Sequence, residues 1–167
     1  LEPNLVRITL PLPRDFADDF VVAGVPHKIV PVENLAKVDV ENEGRRIRNS
    51  DEFAPDGTNV DFALFRPPHR VSIRTYERGV EAETGACGTG AVAVACVGVC
   101  GTGSVATALI GVSDYGLEFP VRVTTSRGYE LVVDGVYDGE TFSSLTLTGP
   151  VKRVFSGEMD FEALDFV

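Results

Sequence analysis

Cys87 stands between small residues in ETGACGTGAVAVACVGVCGTG, residues 83–103, at the head of a run of small apolar side chains. A cysteine at a helix N-terminus meets unpaired backbone N–H groups and the positive end of the helix dipole. Both favour the thiolate over the thiol. Gly88 and Gly90 let the backbone approach a ligand, and the same N–H groups can hold a carboxylate. Cys87-Gly88-Thr89-Gly90 therefore offers a proton-transferring thiol beside an anion cradle. The spacing fits equally well a small buried residue next to a helix cap. On residue types alone both readings stand.

Cys96 and Cys100 lie farther into the run, four residues apart, and read as core side chains on one helix face. No His, Asp or Glu stands near them, so no metal site is expected. Gly88 to Ala93 also fits the dinucleotide pattern G-x-G-x-x-A. It lacks the preceding apolar strand and the acidic residue about 20 positions on that such a site needs. Upstream, Tyr76-Glu77-Arg78-Gly79 sets opposite charges side by side at a strand end. That is the pattern of a solvated turn. It also suits an amino acid, with a carboxylate for the ammonium and a guanidinium for a second carboxylate. His27, in GVPHK, is placed to tune a thiol or to serve a structural role. His69, in RPPHR, reads as a loop residue.

These residues need elements to hold them. From Thr84 to Ser113 there is no charge, but seven glycines and six Ser or Thr residues interrupt the run. Acidic residues flank both ends. The pattern predicts a helix buried inside a globular protein, starting near Gly88, and not a membrane span. A second helix, charged and on the surface, follows Asp39 as its N-cap through VENEGRRIRNSDEF. The remainder is partly alternating and rich in β-branched residues: NLVRITLPLP, DFVVAGVPHKIVPV, TNVDFALF, RVSIRTYE, PVRVTTSRGYELVVDG and SSLTLTGPVKRVF. Arg127-Gly128 suits a hairpin turn. Few helices among many antiparallel strands give an α+β fold, with a sheet wrapped around the buried helix. No repeat, linker or low-complexity segment is read along the chain.

The 167 residues suit a single unit, 1–167, with a substantial core. Fifteen basic residues against 25 acidic ones leave a net charge of −10, which argues against nucleic acid and anionic membranes as partners. Three clustered cysteines make no disulfide framework, so a reducing compartment, the cytoplasm, is expected. The first residues show no signal peptide. With no initiator Met, the chain is expected to be cut from something longer.

Taken in order, Gly24-Val25-Pro26-His27, Asp56-Gly57-Thr58-Asn59-Val60, Tyr76-Glu77-Arg78-Gly79-Val80, Glu83-Thr84, Ala86-Cys87-Gly88-Thr89-Gly90 and Leu147-Thr148-Gly149-Pro150 resemble the C-terminal half of the diaminopimelate epimerases. The resemblance runs from about Asp19 to Glu158. It implies one lobe of a two-lobe fold, with mostly antiparallel strands wrapped as a barrel around a central helix. It implies an isomerase, independent of pyridoxal phosphate and of any other cofactor, that interconverts LL- and meso-diaminopimelate in lysine and peptidoglycan precursor synthesis. One thiolate removes the α-proton and a thiol on the opposite face returns one. By this resemblance Cys87 is one of those thiols. Gly88 and Thr89 bind the α-carboxylate, and Glu77 holds the ammonium. Asn59 and Arg78 hold the distal end, and His27 acts on the other thiol. The expected partners are the small-molecule substrate, an N-terminal lobe of the same enzyme and a second copy in a homodimer.

Three departures accompany the match. The family's first cysteine motif, similar to C-G-N-G-x-R, is absent. Val25 replaces an Asn, and the Val80–Cys87 loop is one residue longer, with Gly85 where a larger aliphatic is common. A racemase for proline or hydroxyproline and a cysteine–histidine hydrolase using Cys87 and His27 are the alternatives. Arg78 and Asn59 favour a substrate with a polar far end.

Overall fold

The computed structural model describes residues 5–85 and 100–151. Within them the chain forms ten strands: β1 (Leu5–Thr9), β2 (Arg14–Ala17), β3 (Phe20–Ala23), β4 (Val25–Pro31), β5 (Asn59–Arg66), β6 (Arg70–Glu77), β7 (Ala82–Thr84), β8 (Val121–Thr124), β9 (Glu130–Tyr137) and β10 (Phe142–Pro150). Two α-helices accompany them, α1 (Val40–Arg48) and α2 (Cys100–Asp114). The strands make one sheet in the order β1-β10-β9-β8-β6-β5-β4-β3-β2, with β7 paired to β6. Pairing is antiparallel throughout except for β4 with β5 and β6 with β8. The sheet curls round α2 as a half-barrel. Its curl brings the edge strand β2 back to β10, where the Phe16 and Phe142 rings lie 5.6 Å apart. The α+β architecture expected from the sequence is the one observed. The helix start expected near Gly88 lies outside the described residues, and Cys100, expected within the core, opens the described helix.

Strand alternation divides the packing into two layers. On β5, Ala63 faces α2 among the main core, with Val71 and Ile73 of β6, Ile29 of β4 and Val105, Leu109 and Ile110 of α2. The alternate residues Val60 and Phe62 face outward. They join Tyr76 of β6 and Val40 of α1 in a second, smaller cluster. β5 and β6 are therefore apolar on both faces, as strands between two layers must be.

α1 starts where its sequence says it should. The Asp39 side chain accepts from the Asn42 N–H, Glu41 and Glu43 occupy the first turn, and Arg45, Arg46 and Arg48 the last, all favourable to the helix dipole. Gly44 sits where α1 crosses Tyr76, too close for any side chain. The β8–β9 hairpin turns at Arg127-Gly128. Gly128 has φ +79° and donates to the Thr125 carbonyl at 2.9 Å. β2 and β7 are short strands that the sequence pattern does not reveal. No helix among the described residues is long and apolar enough to cross a membrane.

Candidate active site

Three residues that the sequence separates widely lie level with one another on the face of the sheet turned towards α2. His27 of β4 pairs in register with Asn59 of β5. The antiparallel register Val60↔Tyr76 and Asp61↔Thr75 sets Glu77 opposite Asn59, one position farther out. On β6, Val71, Ile73, Thr75 and Glu77 share the inner face by alternation. His27, Asn59 and Glu77 thus form one row, and Ile29, Asp61 and Thr75 form the row behind it.

The rear row holds the front one in place. Asp61 has no exposed surface, so its carboxylate must find partners. Its Oδ2 lies 2.7 Å from His27 Nδ1, and its Oδ1 accepts from the Thr75 hydroxyl at 2.6 Å. The pair fixes the imidazole and leaves His27 Nε2 buried without a hydrogen-bond partner. Asn59 ties the strands together. Its Nδ2 donates to the Pro26 carbonyl at 3.0 Å, and its Oδ1 accepts from the Arg78 N–H at 2.9 Å.

Glu77 is 8% exposed, and among the described residues its carboxylate has no hydrogen-bond or ion-pair partner. Arg78 reaches over the loop before β5, with Nη1 3.3 Å from the Gly57 carbonyl and 3.4 Å from that of Asp56. Among the described residues its other guanidinium nitrogens make no hydrogen bond. Glu81, in the turn after Glu77, is held below the usual carboxylate range by the Gly79 N–H and by Arg48. That pins the turn from which Glu77 and Arg78 emerge.

Strands β10 and β5 and the β3–β4 turn meet residues 101–103 of α2. A methyl placed on Gly101 would lie 2.8 Å from Leu147 Cδ2, and one on Gly103 would lie 2.5 Å from Asp61 Oδ1. The Cβ position of Gly24, whose φ is +83°, lies 3.6 Å from Thr102 Cγ2. Beside them opens an apolar cleft of about 250 Å³, whose lining includes Gly24, Val25, Gly101, Thr102, Val105 and Leu147. Val25 lines this cleft, whereas His27, Asn59, Glu77 and Arg78 do not. His69 is remote from it and binds the Glu118 carbonyl at 2.8 Å in the β5–β6 turn.

The structure brings together His27, Asn59, Glu77 and Arg78. Cys87, Gly88 and Thr89 lie outside the described residues. Sequence reasoning missed Asp61 and Thr75. The signal was an acid in the middle of TNVDFALF, where a strand buried on both faces cannot leave a carboxylate unpaired.

Fold and site together define an α+β fold whose curled sheet gathers a buried histidine, an amide and a carboxylate in one row. The family model described as diaminopimelate epimerase matches residues 20–99. The diaminopimelate epimerase of Aquifex aeolicus is 42% identical over 147 residues, 88% of this chain and 47% of that protein. The one from Chlorobaculum tepidum is 39% identical over 161 residues, 91% of this chain and 57% of that protein. A shorter match to the Flavobacterium psychrophilum enzyme is 50% identical over 76 residues, 46% of this chain and 30% of that protein. The chain is a relative of the diaminopimelate epimerases over most of its length. It spans about half the length of the curated relatives it matches.

Proposed function

We propose that this chain is one lobe, residues 1–167, of a cofactor-independent two-base epimerase acting on diaminopimelate in the cytoplasm. The observation that carries the proposal is the His27–Asn59–Glu77 row facing α2, with Glu77 only 8% exposed and its carboxylate unpartnered among the described residues. A carboxylate on a largely buried side chain favours a cation beside it, and the substrate ammonium supplies one. Arg78 keeps free donors for the distal carboxylate. Asn59 keeps the second hydrogen of Nδ2 for the same end.

The acid–base thiol comes from a Cys-Gly-Thr-Gly motif. By sequence that role falls to Cys87, with Gly88 and Thr89 at the α-carboxylate. The thiolate takes the α-proton, forming S–H as the C–H bond breaks, and the electron pair stays on the α-carbon. A thiol on the other face gives its proton to that carbon and inverts the centre. This second thiol belongs to an N-terminal lobe. His27, whose ring Asp61 orients, acts on it through Nε2.

The test is exchange of the substrate α-proton in deuterated water, followed by NMR on LL-diaminopimelate. The chain alone should not exchange it. The chain expressed with the N-terminal half of a relative such as the Aquifex aeolicus enzyme should. Rapid exchange by the chain alone would overturn the half-site, and none by the paired halves would overturn the reaction. Sedimentation of the paired protein tests the homodimer.

A further inference from the structure

Arg78 is anchored at two points that belong to different stretches of chain. Its guanidinium donates to the Gly57 and Asp56 carbonyls, in the loop before β5. Its backbone N–H donates to Asn59, and the chain leaves β6 through a turn in which the Val80 and Glu81 N–H groups donate to the Glu77 carbonyl. One side chain from α1 touches both stretches. We propose that Arg48, the last residue of α1, is a positioning residue that fixes Arg78 for the distal carboxylate of the substrate. The inference rests on the epimerase reading above and adds to it a residue that touches no substrate.

On the turn side, Arg48 Nε donates to Glu81 Oε1 at 2.7 Å, and the same oxygen accepts from the Gly79 N–H at 3.0 Å. Glu81 Oε2 accepts from the Tyr76 hydroxyl at 3.4 Å. Glu81 has φ +60°, a left-handed conformation that a residue with a long side chain keeps only when its surroundings demand it. Its carboxylate is the clasp: it spans the turn to Gly79 and is itself gripped from α1 by Arg48.

On the loop side, Gly57 has φ +71°, and a Cβ there would run into the Arg48 guanidinium and lie 2.9 Å from the Arg48 carbonyl oxygen. The bare backbone of Gly57 thus packs on Arg48, and its carbonyl accepts from Arg78. Arg48 Nη1 also donates to the Asn49 side-chain oxygen at 3.3 Å, fastening the guanidinium to the end of α1. The helix is fixed to the sheet by Gly44 on Tyr76 and by Val40 in the outer cluster. Arg48 therefore refers loop and turn to one firm support. Its side chain is 19% exposed and that of Glu81 44%, and an ion pair so open to water contributes little to global stability. Its effect is local, on where Arg78 points.

The experiment reads that coupling. In the chain paired with the N-terminal half of a relative, Arg48→Ala should raise KM for diaminopimelate about tenfold and leave kcat within about threefold. In an Arg78→Lys background the same change should raise KM by less than about twofold further, because it acts through Arg78. Equal effects on KM in the two backgrounds overturn the proposal. So does a lowered melting temperature with an unchanged KM, which would make Arg48 a residue of the fold alone. Glu81→Gln removes the ion pair at nearly constant shape, and carries the same test should Arg48→Ala fail to fold. If the paired halves exchange no α-proton, the epimerase reading fails, and NMR of the isotope-labelled chain still decides whether Arg48 holds the turn. Solvent exchange of the Arg78 N–H should then speed at least about tenfold in Arg48→Ala while the α2 amides keep their rates. An unchanged Arg78 rate overturns the proposal.

Discussion

His27 Nδ1 lies 2.7 Å from Asp61 Oδ2, and neither side chain has any exposed surface. Asp61 also accepts the Thr75 hydroxyl, so one carboxylate joins β4, β5 and β6 beneath the site. Asp61→Ala leaves the buried His27 imidazole and the half-buried Thr75 hydroxyl without this partner, and should cost about 3 kcal/mol of stability. Asp61→Asn keeps the shape and one acceptor, and should cost less. Urea unfolding of both variants measures this. An unchanged midpoint for Asp61→Ala would mean that water already serves these groups.

Gly44 should not tolerate a methyl. Alanine favours a helix over glycine by about 1 kcal/mol. Here the new methyl would meet Tyr76 at Cβ and Cγ, the stem of a fully buried side chain that cannot swing aside. Overpacking of this kind costs about 1–3 kcal/mol. Gly44→Ala should therefore destabilise, by thermal unfolding, despite the better propensity. A raised melting temperature would show that α1 can shift off the sheet.

Tyr115 links pH to stability. Burial first, and then its hydrogen bond to Asp19 at 2.8 Å, push its hydroxyl from 10.0 up to about 12. A folded-state value above the unfolded one stabilises the fold fully below the unfolded pKa. That contribution is lost as pH rises from about 10 through 12. Melting temperature should fall over this range, and Tyr115→Phe should flatten that fall. An identical alkaline profile for the variant would dismiss the Asp19 bond as a source of stability.

Arg78→Lys tests the substrate's far end. Lysine keeps the charge but cannot hold a carboxylate with two parallel N–H bonds. In the paired enzyme kcat/KM for diaminopimelate should fall about tenfold or more, mainly through KM, since the contact is remote from the reacting carbon. Unchanged kinetics would leave Arg78 only its contacts with the Asp56 and Gly57 carbonyls.

Much of the fold was legible in the chain because it depends on local physics. Asp39 caps α1, Gly128 turns the β8–β9 hairpin, and alternation in RVSIRTYE puts Val71, Ile73, Thr75 and Glu77 on one face. The ordered motifs around His27, Asn59, Glu77 and Arg78 carry the resemblance to the diaminopimelate epimerases without any coordinates. β2 and β7 were not legible. Arg14–Ala17 is exposed along its length, so no burial pattern marks it, and Ala82–Thr84 is too short to show a period.

Sequence by itself determined which residue types were available: a Cys-Gly-Thr-Gly motif, an acid in a strand, and a Glu-Arg pair at a strand end. Tertiary structure alone decided which of them meet. The parallel register of β4 with β5 places His27 beside Asn59 and makes Asp61 a partner rather than a surface charge. The position of α2 along β5 brings Gly101, Thr102 and Gly103 to Leu147, Gly24 and Asp61. At Gly103 the close approach to Asp61 admits only a glycine, a demand set by long-range packing and not by local preference.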